Sequence, residues 1–215
     1  MYALRVATLA TLWVWLALSL TPAVVSAQTK PGDVELLKAL RAGGHVVVMR
    51  HATADPDKAD TDPLNFRNVK AQQPLTEQGK QTAQSLGNTF RRLGISFGEA
   101  LTSKFNRAFQ TALLAGFKGA KAVTELTEGS LVVSPNEQRR RAAFLRELTV
   151  APLAAGQNRL IVTHRANIAQ AYGKEWYDVK EGEASIFRVE RGAYSLLARL
   201  QPDDWTRLIV LANKT

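Results

Sequence analysis

Four side chains in this sequence are of the types that together handle an anion: the adjacent pair Arg50 and His51, then Arg107, then His164. Arginine presents a planar fork of donors that matches phosphate oxygens better than those of a simple carboxylate. A neighbouring positive charge disfavours protonation of an imidazole, which keeps it neutral and nucleophilic near pH 7. Such an imidazole can attack phosphorus and divide hydrolysis into two steps, formation of a phosphoenzyme and its breakdown by water. Most of the remaining work is then charge stabilisation around the transferring phosphoryl group. An alkoxide leaving group also needs a proton, and Glu125, Glu128 and Glu183 are the candidate donors, each of which could equally be a solvated loop glutamate. No other nucleophile competes, because the chain has no cysteine, no Gly-x-Ser-x-Gly elbow and no phosphate-cradling glycine loop. Its three histidines lack metal-ligand spacing, and the four aspartates between Asp55 and Asp62 lack the glycine and terminal glutamate of a calcium loop. Neither a metal nor a cofactor is therefore expected.

These residues can act together only if the fold gathers them. Val46-Val47-Val48-Met49 is a continuous apolar run bounded by Gly43-Gly44, as in a strand buried on both faces, and Arg50-His51 stands at its carboxyl end. Leu160-Ile161-Val162-Thr163 repeats the pattern and ends in His164, and Arg107 follows a shorter strand expected over 99–102. In open α/β sheets ligands bind beyond the carboxyl ends of the strands, so the three ends project from one edge. His45 falls at the opposite end of its strand and reads as a surface or packing histidine. Between the strands, helical periodicity predicts a helix capped by Asp33 with Val34, Leu37 and Leu40 on one face, and a helix capped by Thr76 with Ala83, Leu86, Phe90 and Leu93. Further helices are expected over 108–115, 137–148 and 167–172, a short strand over 122–124, a hairpin from 185–190 and 194–200, and a final turn from Pro202. The polar segment 52–74, punctuated by Pro56, Pro63 and Pro74, reads as a lid over the strand end. Arg139-Arg140-Arg141 reads as a solvated helix face.

The 215 residues suit one domain. Residues 1–27 resemble a secretory signal peptide: Arg5 follows the start, 6–20 is apolar, and Val25-Ser26-Ala27 supplies small residues for cleavage. An uncleaved anchor is the rival reading, which Pro22 and those small residues disfavour. The expectation is a periplasmic or secreted protein cut after Ala27, with a single domain over 28–215 and no stable membrane insertion after cleavage. Loss of Arg5 takes the formal net charge from +9 to +8. A basic surface favours anionic partners, here a phosphorylated small molecule or a phosphate group of the cell envelope. Nucleic acid is not expected, because the basic residues are not interleaved with aromatics and no nucleic-acid motif occurs.

Four segments in order carry a resemblance. Val48-Met49-Arg50-His51-Ala52 resembles the Arg-His motif of the histidine phosphatase superfamily, which includes phosphoglycerate mutase-like enzymes. Leu75-Thr76-Glu77-Gln78-Gly79 resembles the start of that family's next helix. The stretch from Ser103 through Arg107 to Ala112 resembles its SxxxRAxQTA segment, and Ile161-Val162-Thr163-His164 the strand that delivers the second histidine. The resemblance implies a phosphatase working through a phosphohistidine on His51, with Arg50, Arg107 and His164 holding phosphate and Asn106 lining the pocket. Mutase-like members carry an acidic residue after the third strand, which points to Glu125 or Glu128, whereas Glu183 in Glu181-Gly182-Glu183-Ala184 resembles a feature of exported members. Glu183 is preferred and Glu128 placed next. The expected fold class is a three-layer α/β/α sandwich with a mostly parallel open sheet, flanking helices and a C-terminal hairpin. A non-catalytic phospho-ligand binding protein and a phosphomutase are the alternatives on the same fold.

Overall fold

Alternation within the apolar strands sets the layers. The computed structural model describes residues 31–129 and 132–213, so the leader expected over 1–27 lies outside the described residues. Strand β1 (His45–Arg50) sends Val47 and Met49 into one core and Val46 and Val48 into the other, and all four are fully buried. Continuous β-branched sequence is what a strand covered on both faces requires. On the first face lie α1 (Asp33–Ala42), α2 (Glu77–Arg92), α3 (Asn106–Leu114) and α6 (Asp204–Ala212), with Leu36, Leu40, Leu86, Phe90 and Trp205 in that core. On the second lie α4 (Pro135–Val150) and α5 (Arg165–Tyr172), packed through Leu145 and Ile168.

The sheet between them has six strands: β1, β2 (Phe97–Ser103), β3 (Lys121–Val123), β4 (Asn158–Thr163), β5 (Ala184–Glu190) and β6 (Ala193–Leu200). Their spatial order is β3-β2-β4-β1-β5-β6. Strands β3, β2, β4 and β1 are parallel, and Met49 pairs with Val162 in register. β5 runs antiparallel to β1, pairing Met49 with Ala184, and forms the expected hairpin with β6. The expected three-layer α/β fold is the one observed. One consequence decides the site: β1, β2 and β4 end where β5 begins, so Arg50, Ser103, Thr163 and Glu183 meet at one edge.

Local departures from expectation have physical causes. The cap of α1 is Gly32 rather than Asp33, and Val34 is exposed while Leu36 takes the buried position. α3 begins at Asn106 and α4 at Pro135, whose fixed φ suits a first helical residue, with Ser134 accepting from the amide of Glu137 at 3.2 Å. The final turn is the nine-residue helix α6, anchored by the buried Trp205. Thr76 caps α2 as expected, accepting from the Gly79 amide at 2.9 Å. Arg139 and Arg140 are exposed, but Arg141 is buried and donates to the carbonyl of Thr127 at 2.7 Å. The solvated-face reading therefore fails at Arg141, whose guanidinium turns inward because that carbonyl needs a donor. His45 is buried at the far end of β1, and burial pulls its pKa down. No helix among the described residues is long and apolar enough to cross a membrane.

Candidate active site

The edge formed by the ends of β1, β2 and β4 gathers Arg50, His51, Arg107 and His164. The backbone of His51 is fixed by its amide donating to the carbonyl of Thr163 at 3.0 Å, which joins the two histidine-bearing strands. The imidazoles of His51 and His164 lie 5.1 Å apart, centre to centre, at 60°. Arg107, on the first turn of α3, is 1 % exposed and stacks 4.5 Å over the ring of Phe105. Phe105 in turn packs edge-on against His164 at 5.6 Å.

A hydrogen bond settles which nitrogen of His51 carries the proton. His51 Nδ1 stands 2.8 Å from the carbonyl of Ala52, which can only accept. Nδ1 therefore donates, and the lone pair of the neutral ring is on Nε2. His51 is 4 % exposed, and burial, then Arg107 and Arg50, hold its pKa down at about 3. Burial is thus the first cause of its neutrality, with the expected arginine repulsion second. His164 Nε2 lies 2.7 Å from Ser103 Oγ, which already accepts from the Phe105 amide at 3.0 Å. His164 Nδ1, on the other side of the ring, lies 3.5 Å from a carboxylate oxygen of Glu128. Burial, Arg107, His51 and Arg50 together hold His164 well below the ordinary histidine pKa.

Both guanidinium groups are held by their terminal nitrogens. Arg50 donates from Nη1 to the carbonyl of Val179 and from Nη2 to Glu181, each at 3.0 Å. Arg107 donates from Nη1 to both oxygens of Asp60, at 3.0 and 2.9 Å, and from Nη2 to Glu128. Among the described residues, that leaves Nε of Arg50, Nε of Arg107 and Nδ1 of His164 buried without a hydrogen-bond partner. Native interiors rarely leave such groups unpaired, and a cluster of them marks where an anion is received. Among the described residues no group of three or more histidines, aspartates and glutamates could hold a metal ion.

The three candidate acids separate. Glu128 is in the cluster, touching Arg107 and facing His164; its loop is anchored by Arg141 on Thr127 and by the Lys104 amide on Thr127 Oγ1 at 2.9 Å. Glu125 pairs with Arg140 at 3.1 Å on the half-exposed outer side. Glu183, the preferred candidate from sequence, stands at the right edge, but its carboxylate accepts from the Lys180 amide, Arg199 and Gln201 and makes no contact with the cluster. Its burial and its three donors, one of them cationic, hold it there. Asn106, half-buried at the start of α3, donates its backbone amide to Gln72 Oε1 at 2.7 Å.

Sequence reasoning missed Asp60, Glu181, Ser103 and Gln72. Asp60 and Gln72 belong to the segment 52–74, which folds over the strand end: Asp60 reaches Arg107, and Phe66 packs on Phe105 at 5.5 Å. No fixed spacing announces them. Ser103 had a signal, since it closes β2 as Arg50 closes β1. Trp176 and Trp205 prove to be buried, Trp176 donating to Ser185 Oγ at 2.8 Å, whereas Tyr177 is exposed.

Comparison with known proteins agrees with this geometry. Residues 46–130 match the sequence profile of the histidine phosphatase superfamily (branch 1). No curated protein sequence matches the chain. Among solved structures, the protein histidine phosphatase SixA complexed with tungstate is similar at 22 % identity and a TM-score of 0.54, over 74 % of this chain and 98 % of that one. A phosphoserine phosphatase of Entamoeba histolytica in complex with phosphoserine is similar at 14 % identity and 0.55, over 74 % and 98 %. The alpha-ribazole phosphatase of Shigella flexneri is similar at 18 % identity and 0.51, over 74 % and 96 %. The stretch that carries Arg50, His51, Arg107 and Glu128 thus matches the histidine phosphatase superfamily, and the chain has the α/β fold of that superfamily.

Proposed function

We propose that this protein is a phosphatase that hydrolyses phosphomonoesters through a phosphohistidine on His51. The observation that carries the proposal is the tautomer of His51: its Nδ1 proton is held by the Ala52 carbonyl, so the Nε2 lone pair stands in a cluster with two unpartnered arginine N–H donors. Nε2 attacks phosphorus while the ester P–O bond breaks. Arg50, Arg107 and His164 stabilise the charge on the phosphoryl oxygens. The leaving oxygen takes a proton from Glu128, which touches both Arg107 and the His164 edge. Water then attacks the phosphohistidine, gives its proton back to Glu128, and the P–N bond breaks to release inorganic phosphate.

Two variants and two substrates test this. His51→Ala abolishes turnover of p-nitrophenyl phosphate and of an alkyl phosphate, together with an acid-labile phosphoryl label on the protein. Glu128→Gln lowers turnover of the alkyl phosphate by about 10²- to 10⁴-fold and of the aryl phosphate far less, because a nitrophenolate leaves without a proton. Absence of turnover on every phosphomonoester, with phosphate still bound, sinks the proposal in favour of a phospho-ligand binding protein. Transfer of the phosphoryl group to a second substrate hydroxyl in preference to water identifies a phosphomutase. The basic, apolar and small-residue order of residues 1–27 supports export to the periplasm or beyond, where a cell-envelope phosphate group is an accessible substrate. Amino-terminal sequencing of the protein recovered from cells tests that reading: an uncut Met1 overturns it.

A further inference from the structure

Glu183 is held by a set of donors of its own. Its side chain is 1 % exposed, yet it accepts from the Lys180 amide at 3.0 Å, from Arg199 Nε and from Gln201 Nε2. Arg199 also donates to the carbonyl of Glu175 at 2.6 Å and to Asp178 at 2.9 Å. The segment from 175 to 183 is therefore tied to the end of β6 at three points, and Glu183 is the innermost. That same segment grips the catalytic end of β1. Val179 and Glu181 hold the two terminal nitrogens of Arg50, the Gly182 amide donates to the carbonyls of Arg50 and His51 at 3.2 and 2.9 Å, and the Glu183 carbonyl accepts the Arg50 amide at 3.1 Å. Gly182 sits at φ +76° against Pro202, where an added Cβ would come within 2.9 Å of the ring, so this turn of the loop requires glycine.

We infer that Glu183 is a positioning residue: by fixing the 179–182 loop through Lys180, Arg199 and Gln201, it orients the Arg50 guanidinium and so sets the affinity of the site for a phosphoryl group. The inference rests on the reading of Arg50 as a phosphate ligand. Loss of the carboxylate leaves three donors short of an acceptor and frees the loop, while Glu128, the proton donor, is untouched.

The test is a double-mutant cycle on the full chain, read by calorimetric titration with inorganic phosphate and by steady-state kinetics. Glu183→Gln weakens phosphate binding by about tenfold, and raises KM for aryl and alkyl phosphates alike with a smaller change in kcat. Arg50→Lys keeps a cation but lacks the fork that Val179 and Glu181 hold. In that background Glu183→Gln changes phosphate affinity by less than about twofold. Should Glu183→Gln fail to fold, Arg199→Lys, which keeps a charge beside Glu183 but loses the reach to Glu175 and Asp178, shows the same non-additivity with Arg50→Lys. Full additivity of the two losses, or a kcat defect confined to alkyl phosphates, overturns the inference and leaves the phosphatase reading standing. Failure of the wild type to bind phosphate overturns both.

Discussion

Acidification destabilises this fold through His51, the histidine proposed as nucleophile. The His51 ring is 4 % exposed beside Arg107 and Arg50, and its pKa is held at about 3, against 6.5 for an ordinary histidine. Below pH 6.5 the unfolded chain takes up a proton at this position that the folded chain refuses until about pH 3. The unfolded state then binds more protons, so stability falls as pH falls through that window. At pH 5 the unfolded histidine is protonated over neutral by about 30 to 1 and the folded one hardly at all, a difference of about 2 kcal/mol; at pH 7 it is about 0.2 kcal/mol. His51→Gln, which can still donate to the Ala52 carbonyl, removes this contribution. Urea unfolding of wild type and variant at pH 7, 6 and 5 measures it: the wild type loses about 2 kcal/mol more than the variant between pH 7 and 5. His164 and His45, also shifted down, steepen both curves in the same direction and largely cancel in the comparison. Equal pH slopes for the two proteins would refute the burial argument, and with it the claim that His51 keeps its lone pair in acid. The same reasoning says that the acid limb of kcat/KM does not report His51.

Two substitutions probe what holds the site in place. Arg107→Met strands Asp60 and Glu128, both on a residue 1 % exposed, and lowers stability by about 3 kcal/mol; an unchanged denaturation midpoint would show that these carboxylates find water instead. Gly79→Ala places a Cβ 2.1 Å from the carbonyl of Thr53, which receives the first turn of α2 two residues beyond His51. It lowers stability by about 2 kcal/mol and reduces turnover by displacing the exit from β1, as thermal melting and an aryl phosphate assay would show.

What the sequence made legible follows from what its periodicity encodes. Val46 to Met49 and Leu160 to Val162 are apolar without interruption because they are covered on both faces, and residues that close such strands must stand at a sheet edge. Arg50, His51, Arg107 and His164 were therefore visible one strand at a time. The placement of the candidate acids was not. Glu183 and Glu128 both follow polar loops, and nothing in their spacing tells a carboxylate that faces an anion from one enclosed by Arg199, Gln201 and the Lys180 amide. Asp60 was hidden for the related reason that a segment of 23 residues from Ala52 to Pro74 can place any of its four aspartates on Arg107, and only its internal bonds, such as the Gln73 amide to Asp60 at 2.9 Å, choose one. Charge pairing across loops depends on tertiary closure, and a pattern of residue types along the chain does not carry it. The pairs so formed also alter the electrostatic picture. An arginine pair read from sequence attracts any anion, but here Glu181, Asp60 and Glu128 already pair with the terminal nitrogens, and the nitrogens left wholly without a partner among the described residues include both arginine Nε atoms. On the proposed phosphatase reading, selectivity for a phosphoryl group then comes from the fixed positions of the unpartnered arginine donors, more than from net positive charge.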